Sequence, residues 1–129
     1  MVSYSSSGNG TSKSNDRQLD GPLYSLERLI AVANNKKAYI VNDRAIQDIE
    51  NLGWDNSDVC RLVCHLEDKH YHGSERCQTS NQMSVDCDAY VIERIETTEF
   101  GNSICARYYL KLALTKSGNL LLIVSCHLS

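Results

Sequence analysis

The chain has 129 residues, 42% of them hydrophobic, and a formal net charge of −3. These values describe a single domain of ordinary soluble composition with one core. They argue against a broad basic surface that wraps nucleic acid, and no run of about 18 apolar residues exists to span a membrane.

Residues 1–22 are rich in Ser, Asn and Gly and nearly lack large apolar side chains. Such a stretch buries too little surface to offset its ordering entropy, so a disordered leader over 1–22 is expected, followed by one domain over 23–129. The N-terminus has no apolar h-region, and several of the six cysteines lie within apolar runs. A cytoplasmic protein with reduced, buried thiols is the expectation.

Ser25 is a good N-cap for LERLIAVANN, where Leu26, Leu29, Ile30 and Ala33 recur at helical spacing. Ala38–Val41 reads as a short extended piece. Asn42 or Asp43 caps a second helix that ends at Gly53, and Asp55 opens a third carrying Val59, Leu62, Val63 and Leu66. The following stretch, KHYHGSERCQTSNQMS, is polar and aperiodic, and is predicted as a loop with room for a short strand. From Val85 a strand is expected up to the Phe100-Gly101-Asn102 turn.

The last quarter reads as a β-hairpin around Lys116-Ser117-Gly118-Asn119. Side chains alternate along a strand, so Arg107, Tyr109 and Lys111 share one face, with His127 in reach of it. Helices first and strands after define an α+β fold. N-terminal helices should pack on a C-terminal antiparallel meander of three to four strands.

Two constellations carry chemistry. Cys60, Cys64, His65, His70, His72, Cys77 and Cys87 fall within one third of the chain. No CxxC spacing accompanies them, so buried thiols are preferred to a metal site, and neither a metal nor a cofactor is assigned. The second is acid–base. His70 and His72 flank Tyr71, and His127 closes the final strand. RNA cleavage by the ribose 2′-OH needs a base, an acid and a cation for the phosphorane, and histidine, tyrosine and lysine supply these roles. Cys126 neighbours His127, but adjacent strand residues point to opposite faces and cannot pair.

Asp88-Ala89-Tyr90, Tyr109-Leu110-Lys111-Leu112 and Leu122-Ile123-Val124-Ser125, in this order after a tyrosine-containing basic loop, resemble the MqsR family. Members are toxins of bacterial type II toxin–antitoxin systems with a RelE-like fold. The resemblance covers roughly Tyr24 to His127. It implies a metal-independent endoribonuclease that cuts mRNA, arrests growth and is neutralised by a cognate antitoxin; the ribosome is a further candidate partner. Tyr109 matches the tyrosine of the family's Y-L-K motif. The family's lysine after the loop tyrosine is His72 here, the glutamine before D-x-Y is Cys87, and His127 stands two residues after the final serine. The implied catalytic set is Tyr109, His127, His72 and Lys111, with Arg107, Tyr71, His70, Arg76 and Cys87 as candidates for substrate contact. Loss of the glutamine and the low basicity motivate one alternative, a RelE-like binding module that has lost catalysis; a second, a small zinc-stabilised interaction domain, rests only on the Cys/His cluster.

Overall fold

The computed structural model describes residues 17–129. Most of the expected leader, residues 1–16, lies outside the described residues. Arg17–Leu19, which composition assigns to the leader, form strand β1.

The three helices form where their caps and apolar stripes predict. Helix α1 spans Leu26–Asn34, and Ser25 Oγ accepts a hydrogen bond from the Arg28 N–H at 3.2 Å. Helix α2 spans Asp43–Asn51. Asn42 stands at its N-cap position, but its side-chain amide donates to the Val124 carbonyl at 3.0 Å instead of capping the helix. Helix α3 spans Asn56–Val63 and opens on a reciprocal capping box between Asp55 and Asp58.

The remaining strands are β2 (Ala38–Ile40), β3 (Tyr71–Gln78), β4 (Ser84–Thr97), β5 (Ser103–Leu114) and β6 (Leu121–Leu128). They form one six-stranded mixed sheet in the order β1-β3-β4-β5-β6-β2. The expected meander of three to four antiparallel strands is therefore corrected in two places. The stretch predicted as a loop with room for a short strand is largely the eight-residue β3, paired antiparallel with β4 and with β1. Its polar side chains find partners across the sheet instead of forming an apolar stripe, so no hydrophobic alternation marks it. Ser74 donates to Asp88, Arg76 to Asp86, and Lys111 to Glu75. The second correction is β2, which pairs parallel with β6. That pairing joins segments some eighty residues apart in sequence, and no local pattern announces it.

The helices cover one face of the sheet. Leu29, Ile49, Val59 and Val63 from the helices meet Tyr90, Leu110, Leu112 and Ile123 from the strands in the main core. Among the described residues, the other face carries a small buried cluster of Cys77, Cys87, Ala113 and Val124. Asp88, fully buried, ties the N-terminal segment to the sheet. Its carboxylate accepts from the Leu23 N–H at 3.0 Å, the Tyr24 N–H at 2.9 Å and the Ser74 hydroxyl at 2.5 Å. The aspartate of the D-x-Y motif is thus an anchor of the fold.

Candidate functional site on the open face of the sheet

Tyr109 lies at the centre of the face that the helices leave open. In β5 it pairs with Val91 of β4 and His127 of β6. Two histidine rings flank its ring. The His127 centroid is 5.4 Å away at an interplanar angle of 30°, and the His72 centroid is 6.0 Å away, edge-on at 83°. Lys111 Nζ stands 5.9 Å from the Tyr109 centroid.

Two single-residue bulges place the histidines there. In β6, Ser125 pairs with Lys111 but Ile123 pairs with Leu112, so Val124 is the extra residue. Strict alternation from Leu121 would carry Ile123, Ser125 and His127 to the helix side. The bulge reverses the later residues: Cys126 enters the main core, and Ser125 and His127 turn to the open face. In β3, Tyr71 pairs with Tyr90 and Gly73 with Ala89, which makes His72 the extra residue. Gly73 adopts φ 145°, a conformation open to glycine. This bulge leaves Tyr71 and Ser74 on the helix side, with their hydroxyls 2.5 Å apart. His72 and Glu75 share the face of Tyr109 and Lys111.

The electrostatics follow from this placement. Burial pushes the Tyr109 phenol above its ordinary pKa, although the Lys111 cation offsets part of the rise. At neutral pH Tyr109 is therefore a hydrogen-bond donor. Burial by itself would lower the Lys111 pKa, but its hydrogen bond to Glu75 at 3.0 Å, together with nearby negative groups, holds the ammonium above its ordinary value. His127 Nδ1 stands 2.8 Å from the Leu128 carbonyl. A carbonyl only accepts, so this bond needs the proton on Nδ1 and leaves Nε2 to face other groups.

Of the sequence-derived candidates, the fold gathers Tyr109, His127, His72 and Lys111. Arg107 lies on the same face by register, exposed and opposite Glu93. The other four do not join them. Tyr71 points to the helix side and meets Tyr90 edge-on at 5.8 Å. His70 lies in the 3-10 turn Asp68–His70, where its Nδ1 accepts from the Glu67 N–H at 2.9 Å. Arg76 faces away from Tyr109 and is engaged by Asp86 at 2.7 and 3.3 Å. Cys87 is on the correct face but has no exposure, and its sulfur contacts Cys77 at 3.4 Å. The cluster behind the zinc alternative is also dispersed. Cys60 and Cys64 lie on or beside α3, Cys77 and Cys87 are on the far side of the sheet, and His70 is a turn cap.

Glu75 was not a candidate from sequence, because it lies in the stretch without alternation. Its only signal there is an acidic residue three positions after His72.

A family model described as "Motility quorum-sensing regulator, toxin of MqsA" matches residues 21–127. The match makes the chain a toxin of a toxin–antitoxin system. It belongs to the MqsR toxin family. No curated protein matches the chain.

Proposed function

We propose that this toxin is an endoribonuclease that cuts mRNA in the cytoplasm by attack of the ribose 2′-OH and arrests growth until a cognate antitoxin neutralises it. The observation that supports this reading is the cluster of His72, Tyr109 and His127 on one rigid sheet face, with Lys111 beside it. Cleavage of this kind needs a base, an acid and a stabilising cation within reach of one phosphate, and no step requires a metal.

His127 Nε2 takes the 2′-hydroxyl proton. Its Nδ1 is already committed to the Leu128 carbonyl, which fixes the ring and its tautomer. Tyr109, protonated at neutral pH, donates to a non-bridging phosphate oxygen and orients it. Lys111 and Arg107 supply positive charge for the phosphorane. His72 protonates the departing 5′-oxygen from the opposite side of Tyr109. The 2′-oxygen bonds to phosphorus, the P–O5′ bond breaks, and a 2′,3′-cyclic phosphate and a 5′-hydroxyl remain.

His127→Ala is expected to lower the RNA cleavage rate by about 10²–10⁴, with an unchanged circular dichroism spectrum. Full activity in a folded His127→Ala protein would remove His127 from the mechanism. Strict dependence of wild-type cleavage on Mg²⁺ would remove the metal-independent scheme.

Two observations favour a second reading, a binding module without catalysis. Glu75 neutralises Lys111 within the site, and the chain as a whole is acidic. Induced expression separates the two readings. Growth arrest with mRNA loss supports the nuclease; normal growth together with no cleavage in vitro supports the binder.

A further inference from the structure

Beneath the open face lie two thiols that the nuclease scheme does not use. Glu75 pairs with Cys87 and Cys77 with Val85, so Cys77 and Cys87 are diagonal neighbours across β3 and β4. Their sulfurs are 3.4 Å apart, and neither is in a disulfide. The two thiols have different surroundings. Glu75 Oε2 is 3.7 Å from Cys77 Sγ and Lys111 Nζ is 3.6 Å from it. A carboxylate in that position can take the thiol proton, and an ammonium stabilises the thiolate, the nucleophilic form. Among the described residues, Cys87 Sγ lies against Cys77 Sγ and donates to the Glu75 backbone carbonyl at 3.5 Å. The hydrogen bond to Cys77 and burial keep it a thiol, well above its ordinary pKa. One sulfur is set up to attack, and the other stands in contact to resolve.

We propose that Cys77 and Cys87 form a reversible oxidation site for small hydroperoxides, with Cys77 as the attacking and Cys87 as the resolving thiol. The Cys77 thiolate attacks the terminal oxygen of the hydroperoxide. An S–O bond forms, the O–O bond breaks, and the alcohol or water leaves with the proton that Glu75 took. Cys77 is then a sulfenic acid. Cys87 attacks its sulfur and loses a proton, hydroxide departs as water, and the disulfide forms. In total, two thiols are oxidised and one hydroperoxide is reduced to one alcohol and one water, or to two waters where the oxidant is hydrogen peroxide. A small oxidant is required because Cys77 is only 4% exposed, beneath the Lys111 and Glu75 side chains. The sulfurs must close from 3.4 Å to about 2.05 Å, which requires movement of two diagonal strand positions.

The exposed Cys105 provides an internal competitor. The full-length folded protein is treated with a several-fold molar excess of hydrogen peroxide, quenched, unfolded, alkylated, and mapped by mass spectrometry. The expected product has lost two hydrogens, links the Cys77 and Cys87 peptides, and returns to the dithiol with dithiothreitol. Cys105→Ser keeps the linkage. In Cys87→Ser, a Cys77 sulfenic acid is trapped by dimedone after unfolding. Complete alkylation of Cys77 and Cys87 at a peroxide level that oxidises Cys105 would overturn the proposal, as would linkage between any other pair. If Cys87→Ser does not fold, mapping of the wild-type protein decides alone.

Discussion

Glu75 sets how much positive charge Lys111 offers to a ligand, and two substitutions measure it. The Lys111 and Glu75 side chains are 14% and 24% exposed, with Nζ 3.0 Å from Oε2. Glu75→Gln keeps an oxygen near the ammonium and removes the charge. A hydrogen bond to a charged group contributes about 1.5–3 kcal/mol and a neutral one about 0.5–1.5 kcal/mol, so this change should cost about 1 kcal/mol. Glu75→Ala removes the acceptor as well. Breaking a fully buried ion pair costs about 3–5 kcal/mol, and the residual exposure here lowers the expectation to about 2–3 kcal/mol. Equilibrium urea unfolding reads both values as a lower midpoint at unchanged slope. The same variants should bind single-stranded RNA more tightly at low salt. One added phosphate contact steepens the slope of log K against log salt by about 0.7. An Ala variant within about 0.5 kcal/mol of wild type would show that the pair contributes nothing to folding. Lower stability with an unchanged salt slope would show that Lys111 does not meet the RNA backbone.

Two further outcomes test the fold around the site. A Cβ at Gly21 would overlap the Ser74 hydroxyl, which donates to the buried Asp88. Gly21→Ala should therefore cost about 1–3 kcal/mol and make the N-terminal segment more sensitive to proteolysis; wild-type stability would show that the segment is not packed there. Burial first, then the nearby Asp88 charge, pushes the Tyr90 phenol up to about 12. A raised phenol contributes stability that is complete below its ordinary value near 10 and is lost as pH rises from about 10 to 12. Tyr90→Phe should remove about 2 kcal/mol of that alkaline loss, and its neutral-pH stability should change by less than about 1 kcal/mol, because the Tyr90 hydroxyl makes no hydrogen bond among the described residues. An alkaline profile identical to wild type would contradict this account.

The helices and the closing hairpin were legible because their causes are local. Ser25 caps the backbone three residues on, Asp55 and Asp58 cap each other, and the 104–114 alternation buries Ala106, Tyr108, Leu110 and Leu112 together. The extent of strand β3, and its pairing on both edges, were not legible. Its stabilising partners, Asp88, Asp86 and Lys111, lie on other strands, and its own polar residues carry no period. Tyr71, Arg76 and Cys87 became site candidates by proximity in sequence or by family position. Residues one apart on a strand face opposite ways, and a cysteine at the glutamine position is small enough to sink into the sheet.

By itself the sequence determined the α+β class and the family, and it named Tyr109 and the three side chains now gathered around it. Only the tertiary structure decided that the histidines could reach it. Each lies in a strand whose simple alternation fails by one residue, at His72 itself in β3 and at Val124 in β6. A single extra residue reverses the facing of everything beyond it, and whether a strand accommodates one depends on its neighbours. Here Cys126 is fully buried in the core, and the Val124 carbonyl is hydrogen-bonded by Asn42 from across the fold. Those contacts come from segments far apart in the chain, so the facing of His127 was fixed only when the sheet closed.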